Sequence, residues 1–367
     1  MQFIDLKKQY SLIENNVLNS IKKVLDHGQY IMGPEIAMLE KELASFVGAK
    51  HAIVNASGTD ALLMALMALD IQAGDEVITS PFSFFATAEV IALCHAVPVF
   101  VDIDPLTYNL DPQKLEKAIT KKTKAIMPVS LYGQCADFDA INVIANKYDI
   151  AVIEDAAQSF GATYKGKNSC ALSTIGCTSF FPSKPLGGYG DSGACFTDDD
   201  ELAQKLIELR IHGQNARYCH SRIGINGRMD TIQAAILLEK MKLFPDEIIL
   251  RQQVAHYYDK QLASVAKVPY IHADNTSVYA QYTIQVKDRD VFQKRMQASG
   301  IPTAIHYPIA MHEQKALSYL KYSSGDFPHS EQASCNVVSL PMHPYLNKED
   351  QLRVIDAVKN ALVLETV

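Results

Sequence analysis

The chain has 367 residues, of which 48% are hydrophobic and 20% charged, and its formal net charge is −7. This length exceeds what one ordinary hydrophobic core supports and predicts two lobes. An acidic balance without a long basic run argues against nucleic acid as a partner. The N-terminus lacks the apolar core of a signal peptide, and no apolar stretch is long enough for a membrane span, so we expect a cytoplasmic protein.

The cysteines and histidines argue against a disulfide-stabilised protein and against a metalloprotein. Seven cysteines are scattered without a C-x-x-C pair, which predicts reduced thiols rather than a disulfide framework. The eleven histidines show no H-E-x-x-H or similar spacing. We therefore predict no metal site.

Strand-like and helix-like segments alternate from about residue 35 to residue 240. The first is a predicted helix at 35–47, with Pro34 in its first turn and Gly48 just past its end. Predicted strands follow at 51–54, 76–79, 97–101, 125–129 and 151–155, with helix-like segments between them. Such alternation indicates right-handed crossovers and an α/β fold with a mostly parallel central sheet.

The pattern changes after about residue 240. A predicted helix at 246–263 leads into an alternating strand at 279–286, a helix at 291–298 and a terminal helix at 348–364. This order is typical of an α+β lobe. We predict a large α/β domain at 1–240 and a small C-terminal α+β domain at 241–367.

A loop of small polar residues follows the first predicted strand. It reads Asn-Ala-Ser-Gly-Thr-Asp over 55–60 and opens a helix-like run. Small residues at a helix N-terminus leave backbone N–H groups free for an anion, where the helix dipole also favours negative charge. Ser57 and Thr59 add hydroxyl donors. Ser, Thr and Asp are also ordinary helix caps, so the loop alone is a weak indication of a phosphate site.

A carboxylate and a lysine downstream of the 55–60 loop strengthen the indication of a phosphate site. Asp155 ends an apolar strand, and Lys184 lies in a Ser-Phe-Phe-Pro-Ser-Lys-Pro-Leu segment. A buried-strand carboxylate can hold the pyridine nitrogen of pyridoxal phosphate (PLP) protonated, and a lysine in a tight loop can form the Schiff base with its aldehyde. Either residue alone would suit a turn or a solvated loop. Because parallel strands end at one sheet edge, we expect Asp155 and the 55–60 loop to share a pocket.

These motifs give the chain a family resemblance that covers nearly its whole length. The sequence resembles the PLP-dependent nucleotide-sugar aminotransferases of the DegT/StrS type, on segments 28–35, 55–62, 84–89, 154–159, 179–188 and 224–230. The resemblance implies PLP fold-type I, the aspartate aminotransferase-like fold, and a homodimer with shared active sites.

The resemblance also implies roles for individual residues. Lys184 would be the imine lysine and Asp155 the pyridinium partner. The remaining implied cofactor contacts are the ring-stacking Phe84, the phenolic-oxygen partner Gln158, and the phosphate ligands Gly58, Thr59, Ser179 and, from the second subunit, Asn226. The implied substrate contacts are Arg228, also from the second subunit, His306 and Tyr307.

The implied reaction is amino transfer from glutamate to a keto nucleotide sugar. Segments 128–140 and 340–345 resemble the members of this family that act on UDP-2-acetamido-2-deoxy-3-oxo-D-glucuronate. The resemblance therefore implies amination at C3 of that sugar, for a bacterial O-antigen or other surface polysaccharide. The alternatives are C4 amination of a 4-keto-6-deoxy nucleotide sugar, a sugar dehydratase on the same scaffold, and a non-catalytic regulator. The presence of Lys184 argues against the dehydratase, whose comparable members carry histidine there. The chemically competent cofactor residues argue against the regulator.

Overall fold

The computed structural model describes residues 1–363, and its largest feature is a seven-stranded sheet. The strands, in chain order, are β1 (His51–Asn55), β2 (Glu76–Thr79), β3 (Val97–Phe100), β4 (Thr123–Met127), β5 (Ala151–Asp155), β6 (Thr163–Tyr164), β7 (Lys167–Asn168), β8 (Ile175–Ser179), β9 (Gly193–Thr197), β10 (Gln214–Ala216), β11 (Cys219–His220), β12 (Tyr282–Gln285) and β13 (Val337–Leu340).

Helices pack around this sheet and make up much of the remaining chain. Those within residues 1–363 are α1 (Leu6–His27), α2 (Pro34–Val47), α3 (Gly58–Ala68), α4 (Ala86–Leu93), α5 (Pro112–Ala118), α6 (Phe138–Lys147), α7 (Asp200–Leu209), α8 (Thr231–Met241), α9 (Phe244–Leu262), α10 (Arg289–Ala298), α11 (Pro328–Asn336) and α12 (Lys348–Val363). Short 3-10 helices lie at Leu131–Gly133, Met311–Glu313 and Lys315–Leu320.

The order of strands across the main sheet is β1-β9-β8-β5-β4-β2-β3. Only β9 runs against its neighbours, because β8, β5, β4, β2 and β3 pair in parallel and β1 pairs antiparallel with β9. The mostly parallel sheet predicted from the alternating pattern is confirmed. Since β1, β5 and β8 point the same way, their last residues, Asn55, Asp155 and Ser179, lie at one edge.

Local sequence explains where the helices beside this edge begin and end. Helix α2 starts at Pro34 and stops at Gly48, whose φ of 80° is the left-handed conformation that glycine adopts without steric cost. Helix α3 starts after Ser57, whose side chain accepts a hydrogen bond from the Asp60 N–H at 3.0 Å. The 55–60 loop is therefore held in place by its own cap.

The smaller lobe has a separate hydrophobic core. The antiparallel pair β12 and β13 packs with α9, α10 and α12 around Tyr258, Tyr282 and Phe292, which are buried completely. Helix α9 enters both lobes, because Phe244 at its start belongs to a core of the large lobe. We propose that the two domains meet within α9, a few residues beyond the predicted boundary at 240. Residues 364–367 of the predicted small domain lie outside the described residues.

The chain start crosses to the smaller lobe as well. Met1 packs against its core, and the Phe3 carbonyl accepts a hydrogen bond from the Met342 N–H at 3.3 Å. None of the helices found in residues 1–363 combines the length and apolar character that crossing a bilayer requires.

Candidate active site

Asp155 is held rigidly at the end of β5. Its side chain is buried, with Oδ2 accepting a hydrogen bond from the Thr87 hydroxyl at 2.8 Å and Oδ1 accepting one from the Ala157 N–H at 3.2 Å. Burial raises the pKa of Asp155, whereas both hydrogen bonds and the nearby Lys184 ammonium lower it. Each oxygen keeps a free lone pair, so the carboxylate can still accept a proton-bearing ring nitrogen.

Lys184 lies in a turn that folds back on itself. The Lys184 N–H donates to the Phe181 carbonyl at 2.8 Å, and the Gly188 N–H donates to the Phe180 carbonyl at 2.7 Å. The side chain is half-buried, and desolvation lowers its pKa while the charge of Asp155 raises it. A lowered pKa increases the fraction of free amine, which is the nucleophilic form.

Three of the four predicted phosphate ligands, Gly58, Thr59 and Ser179, meet at the sheet edge. Gly58 and Ser179 are far apart in sequence, yet a Cβ on Gly58 would lie 2.5 Å from the Ser179 Cβ, so only glycine fits. The N–H groups of Gly58 and Thr59 find no acceptor within residues 1–363. Free N–H groups at the start of α3, beside a serine hydroxyl, form an anion cradle.

An aromatic wall faces the same space. The Phe84 ring is 56% exposed and lies 6.0 Å from the Tyr307 ring, measured between centroids. Gln158 donates from Nε2 to the Tyr307 hydroxyl at 3.0 Å, and its Oε1 accepts from the Tyr132 N–H at 2.9 Å. Both ends of the Gln158 amide are thereby oriented, with one Nε2 hydrogen left for a ligand.

His306 is a neutral neighbour of this wall. Its Nδ1 lies 2.9 Å from the Ser339 hydroxyl, and its carbonyl accepts a hydrogen bond from the Tyr132 hydroxyl. Burial, with a smaller effect of the Lys184 charge, lowers the pKa of His306 to about 4. At neutral pH His306 therefore offers hydrogen bonds rather than a positive charge.

Asn226 and Arg228, which are predicted to contribute to the site of a second subunit, lie near the 55–60 loop of their own chain. They flank Gly227, whose carbonyl accepts a hydrogen bond from the Ala56 N–H at 3.0 Å, so the segment runs beside the phosphate loop of its own chain. Asn226 is exposed. The Arg228 Nε is buried without a hydrogen-bond partner among the described residues.

Three contributors to the site were not singled out from the sequence. Thr87 orients Asp155, Tyr132 orients Gln158, and Glu154 lies completely buried beside Asp155. Glu154 accepts hydrogen bonds from the hydroxyls of Ser130 and Ser169 and from the Cys170 N–H. Thr87 and Glu154 fall inside segments that carry the family resemblance, 84–89 and 154–159, and Tyr132 falls inside segment 128–140, which bears on the substrate; these segments were the available signal.

The comparison with known families decides the class of protein. The sequence profile described as "DegT/DnrJ/EryC1/StrS aminotransferase family" matches residues 11–359. The chain belongs to this family. The resemblance found in the sequence is confirmed, and the chain is a PLP-dependent aminotransferase.

Individual relatives are similar to this chain over almost its full length. The chain is 58% identical, over 95% of its length and 96% of the relative's, to the UDP-2-acetamido-2-deoxy-3-oxo-D-glucuronate aminotransferase of Pseudomonas aeruginosa. The crystal structure of a family member from Brucella abortus matches with a TM-score of 0.96 and 45% identity, covering 99% of both chains. NtdA from Bacillus subtilis, solved with bound PMP, matches with a TM-score of 0.93 and 35% identity over 99% of this chain and 85% of that one.

Proposed function

We propose that this aminotransferase moves the amino group of L-glutamate to C3 of UDP-2-acetamido-2-deoxy-3-oxo-D-glucuronate, for a bacterial surface polysaccharide. The observation that carries the proposal is the 58% identity, over nearly all of both chains, with the Pseudomonas enzyme of that name. A pocket whose predicted substrate contacts include one permanent cation, Arg228, supports an acidic sugar.

The side chains present fit the cofactor. The bare Gly58 lets Ser179 pack directly against the start of α3, which places its hydroxyl beside the free N–H groups there, and the exposed Phe84 ring offers a stacking face. We propose that Gly58, Thr59 and Ser179 hold the phosphate, together with Asn226 from a second copy, while Gln158 binds the phenolic oxygen. When bound, PLP supplies an aldehyde for the amine and an electron-accepting ring.

The protein side of the reaction then divides between two residues. Asp155 would hold the proton of the ring nitrogen, since each carboxylate oxygen has an unused lone pair within residues 1–363 and Thr87 fixes the direction of the side chain. Lys184 would attach the cofactor through its amine and, with that amine free, could hold or move a proton as a base. Its lowered pKa suits both tasks.

Substrate recognition follows from the charges that line the pocket. Glutamate and the uronate both carry a carboxylate, and donor and acceptor occupy one pocket in turn in this class of reaction. His306 is neutral and Tyr307 has its pKa raised by burial, which leaves Arg228 as the cation among the predicted contacts. Arg228 can bind either carboxylate in a bidentate manner.

We further propose a homodimer in which Asn226 and Arg228 complete the neighbouring site. Next to them the segment 30–32 exposes Tyr30, Ile31 and Met32, and Ile31 pairs with Asp230 by a backbone bridge. An exposed apolar strip beside an arginine whose Nε has no hydrogen-bond partner within residues 1–363 is typical of a surface that another subunit covers. The cytoplasmic location stays a prediction, supported by seven cysteines that are all free thiols.

The test is amination of a matched panel of substrates. Purified holoenzyme would be mixed with glutamate and with the 3-keto uronate, the uncharged 3-keto N-acetylglucosamine analogue or a 4-keto-6-deoxy sugar, each as a nucleotide sugar, with products identified by mass spectrometry. We expect the uronate to have the highest kcat/KM, and Arg228→Lys to reduce its advantage over the uncharged analogue. Preference for the 4-keto-6-deoxy sugar would replace the C3 proposal with C4 amination.

A further inference from the structure

Helix α8 supports the Lys184 turn from beneath with two side chains. Gln233 accepts the Tyr189 N–H at 2.9 Å through Oε1, and two helical turns later Lys240 donates from Nζ to the Gly187 carbonyl. The Lys240 ammonium also lies 4.7 Å from the centroid of the Tyr189 ring. Lys240 is therefore bound to the same short turn that carries Lys184.

Lys240 is an unusual residue for this position, because it is only 1% exposed. Within residues 1–363 no carboxylate oxygen lies within ion-pair distance of its Nζ. Burial lowers its pKa to about 8, against the opposing effect of Glu247. A buried ammonium without a direct ion pair costs free energy that an apolar side chain of similar size would not. Packing alone gives no reason for a lysine here.

The acceptor of Lys240 explains what this cation can do. Gly187 lies three residues after Lys184, and a Cβ on it would approach the Pro182 carbonyl oxygen to 2.5 Å. The turn is thus packed against its own backbone, and the direction of the Gly187 carbonyl is tied to the path from Phe180 to Gly188. A hydrogen bond to the Gly187 carbonyl therefore restrains the conformation of the whole turn.

The surroundings of Lys240 connect this turn to distant parts of the chain. Glu247, which is 2% exposed, accepts hydrogen bonds from Gln9 of α1 at 2.7 Å and from the hydroxyl of Tyr345 in the smaller lobe. Arg251, one turn further along α9, is buried and experiences the same Glu247 charge. The cation beneath the turn therefore lies in the field of a largely buried polar cluster, Gln9, Glu247, Arg251 and Tyr345, that spans both lobes.

We propose that Lys240 is a positioning residue for Lys184, which it holds in the orientation for covalent cofactor attachment by binding the Gly187 carbonyl. The proposal rests on the proposed role of Lys184 as the cofactor lysine. Lys240 does not touch the cofactor itself; it acts through the backbone of the turn.

The test compares Lys240→Met with a matched control, Lys205→Met. Lys205 also donates to a backbone carbonyl, that of Ala68 at 3.1 Å, but lies away from the turn. Two quantities would be measured well below the melting temperature of each protein. One is amide hydrogen exchange of residues 184–190 in the holoenzyme, and the other is the rate at which PLP added to cofactor-free enzyme becomes reducible onto Lys184 by borohydride.

We expect Lys240→Met to speed exchange of 184–190 and to slow attachment at Lys184, each on the order of tenfold, with Lys205→Met unchanged. Unchanged exchange and attachment rates in Lys240→Met, with only a lower melting temperature, would overturn the proposal. If Lys240→Met does not fold, Lys240→Gln, which keeps a neutral donor, is measured in the same way. Wild-type exchange and attachment rates in Lys240→Gln, together with a structure in which the contact with Gly187 is lost, would also overturn the proposal. Labelling of a lysine other than Lys184 in the wild type would instead count against the proposed function, while the exchange comparison still reports on the turn.

Discussion

The two sides of the active site differ in how far one chain completes them. Around Asp155, hydrogen bonds from Thr87 and Ala157 fix both carboxylate oxygens, and the Tyr132–Gln158–Tyr307 contacts fix the adjoining wall. Around Arg228, the Nε atom is buried without a hydrogen-bond partner in the described part of the chain, and Asn226, two residues before it, is exposed. The difference indicates that the Asp155 side, where we propose the cofactor ring binds, is organised by the fold of a single chain. The side formed by Asn226 and Arg228 depends on what arrives there, a substrate or a second subunit.

We expect the largest effect from Asp155→Asn, which changes the side of the site that one chain completes. The amide can still accept from Thr87, so the variant should fold, but it cannot form an ion pair with a protonated ring nitrogen. Loss of one partner of a buried ion pair costs roughly 3–5 kcal/mol, or about two to four orders of magnitude in kcat. Steady-state kinetics with a melting control measure this. A folded variant that keeps most of its kcat would show that Asp155 does not face the ring.

Subunit complementation tests the side of the site around Arg228. Arg228→Ala should lower kcat/KM by about 10- to 100-fold, because a charged hydrogen-bond partner of the substrate is lost. If the sites are shared, mixing Arg228→Ala with inactive Lys184→Ala protomers creates hybrid dimers with one intact site. Statistical exchange then restores up to about one quarter of wild-type activity. Verified exchange without recovery would place Arg228 in the site of its own chain.

Thr87 allows a finer test of the completed side. Its hydrogen bond lowers the pKa of Asp155, so Thr87→Val should raise that pKa. Because Asp155 must be ionised, activity should then fall at higher pH than in the wild type as the solution is acidified. We expect the acid limb of the kcat/KM profile to move up by about one pH unit, and Thr87→Ser to restore it. An unmoved limb in Thr87→Val would remove Thr87 from the cofactor side.

Glu154 should contribute to stability rather than to activity. Burial raises its pKa from 4.5 to about 7, while its three hydrogen-bond donors oppose the rise. The folded protein thus holds this proton to a higher pH than the unfolded chain, so the free energy of unfolding falls as pH rises from about 4.5 to about 7, by roughly 3 kcal/mol from this group. Denaturant unfolding at several pH values should show a flatter dependence for Glu154→Gln. Equal slopes would contradict the raised pKa.

Periodicity alone predicted much of the scaffold. The strand expected at 76–79 is Glu76–Thr79, and the helix expected at 35–47 begins one residue earlier, at Pro34. Strands β8 and β9 were not predicted. Periodicity could not have given the antiparallel direction of β9 in any case, because an alternating or apolar run reveals a strand but not its orientation in the sheet. Helix α1 was not predicted either, since its buried stripe includes Gln9 and is interrupted by long polar stretches.

The site was less accessible to sequence reasoning than the scaffold. Lys184 and Asp155 carry distinctive chemistry in a recognisable order, so they could be named. Thr87 and Tyr132 act through single hydrogen bonds to residues 26 or more positions away, and no local pattern records such a contact. Which of Glu154 and Asp155 faces the ligand also depends on the face of β5 each side chain takes, which only the packed sheet defines.

The central claim is that Lys184 is the lysine that binds the cofactor, and one measurement tests it most directly. Two lysines near the site, Lys184 and Lys240, have pKa values lowered by burial, so either amine could in principle react. Borohydride reduction of the holoenzyme followed by peptide mapping identifies the modified residue. We predict a pyridoxyl group on Lys184 alone, because the Lys240 amine is enclosed and bound to the Gly187 carbonyl. Modification of Lys240, or of any lysine outside the 180–190 turn, would contradict the claim.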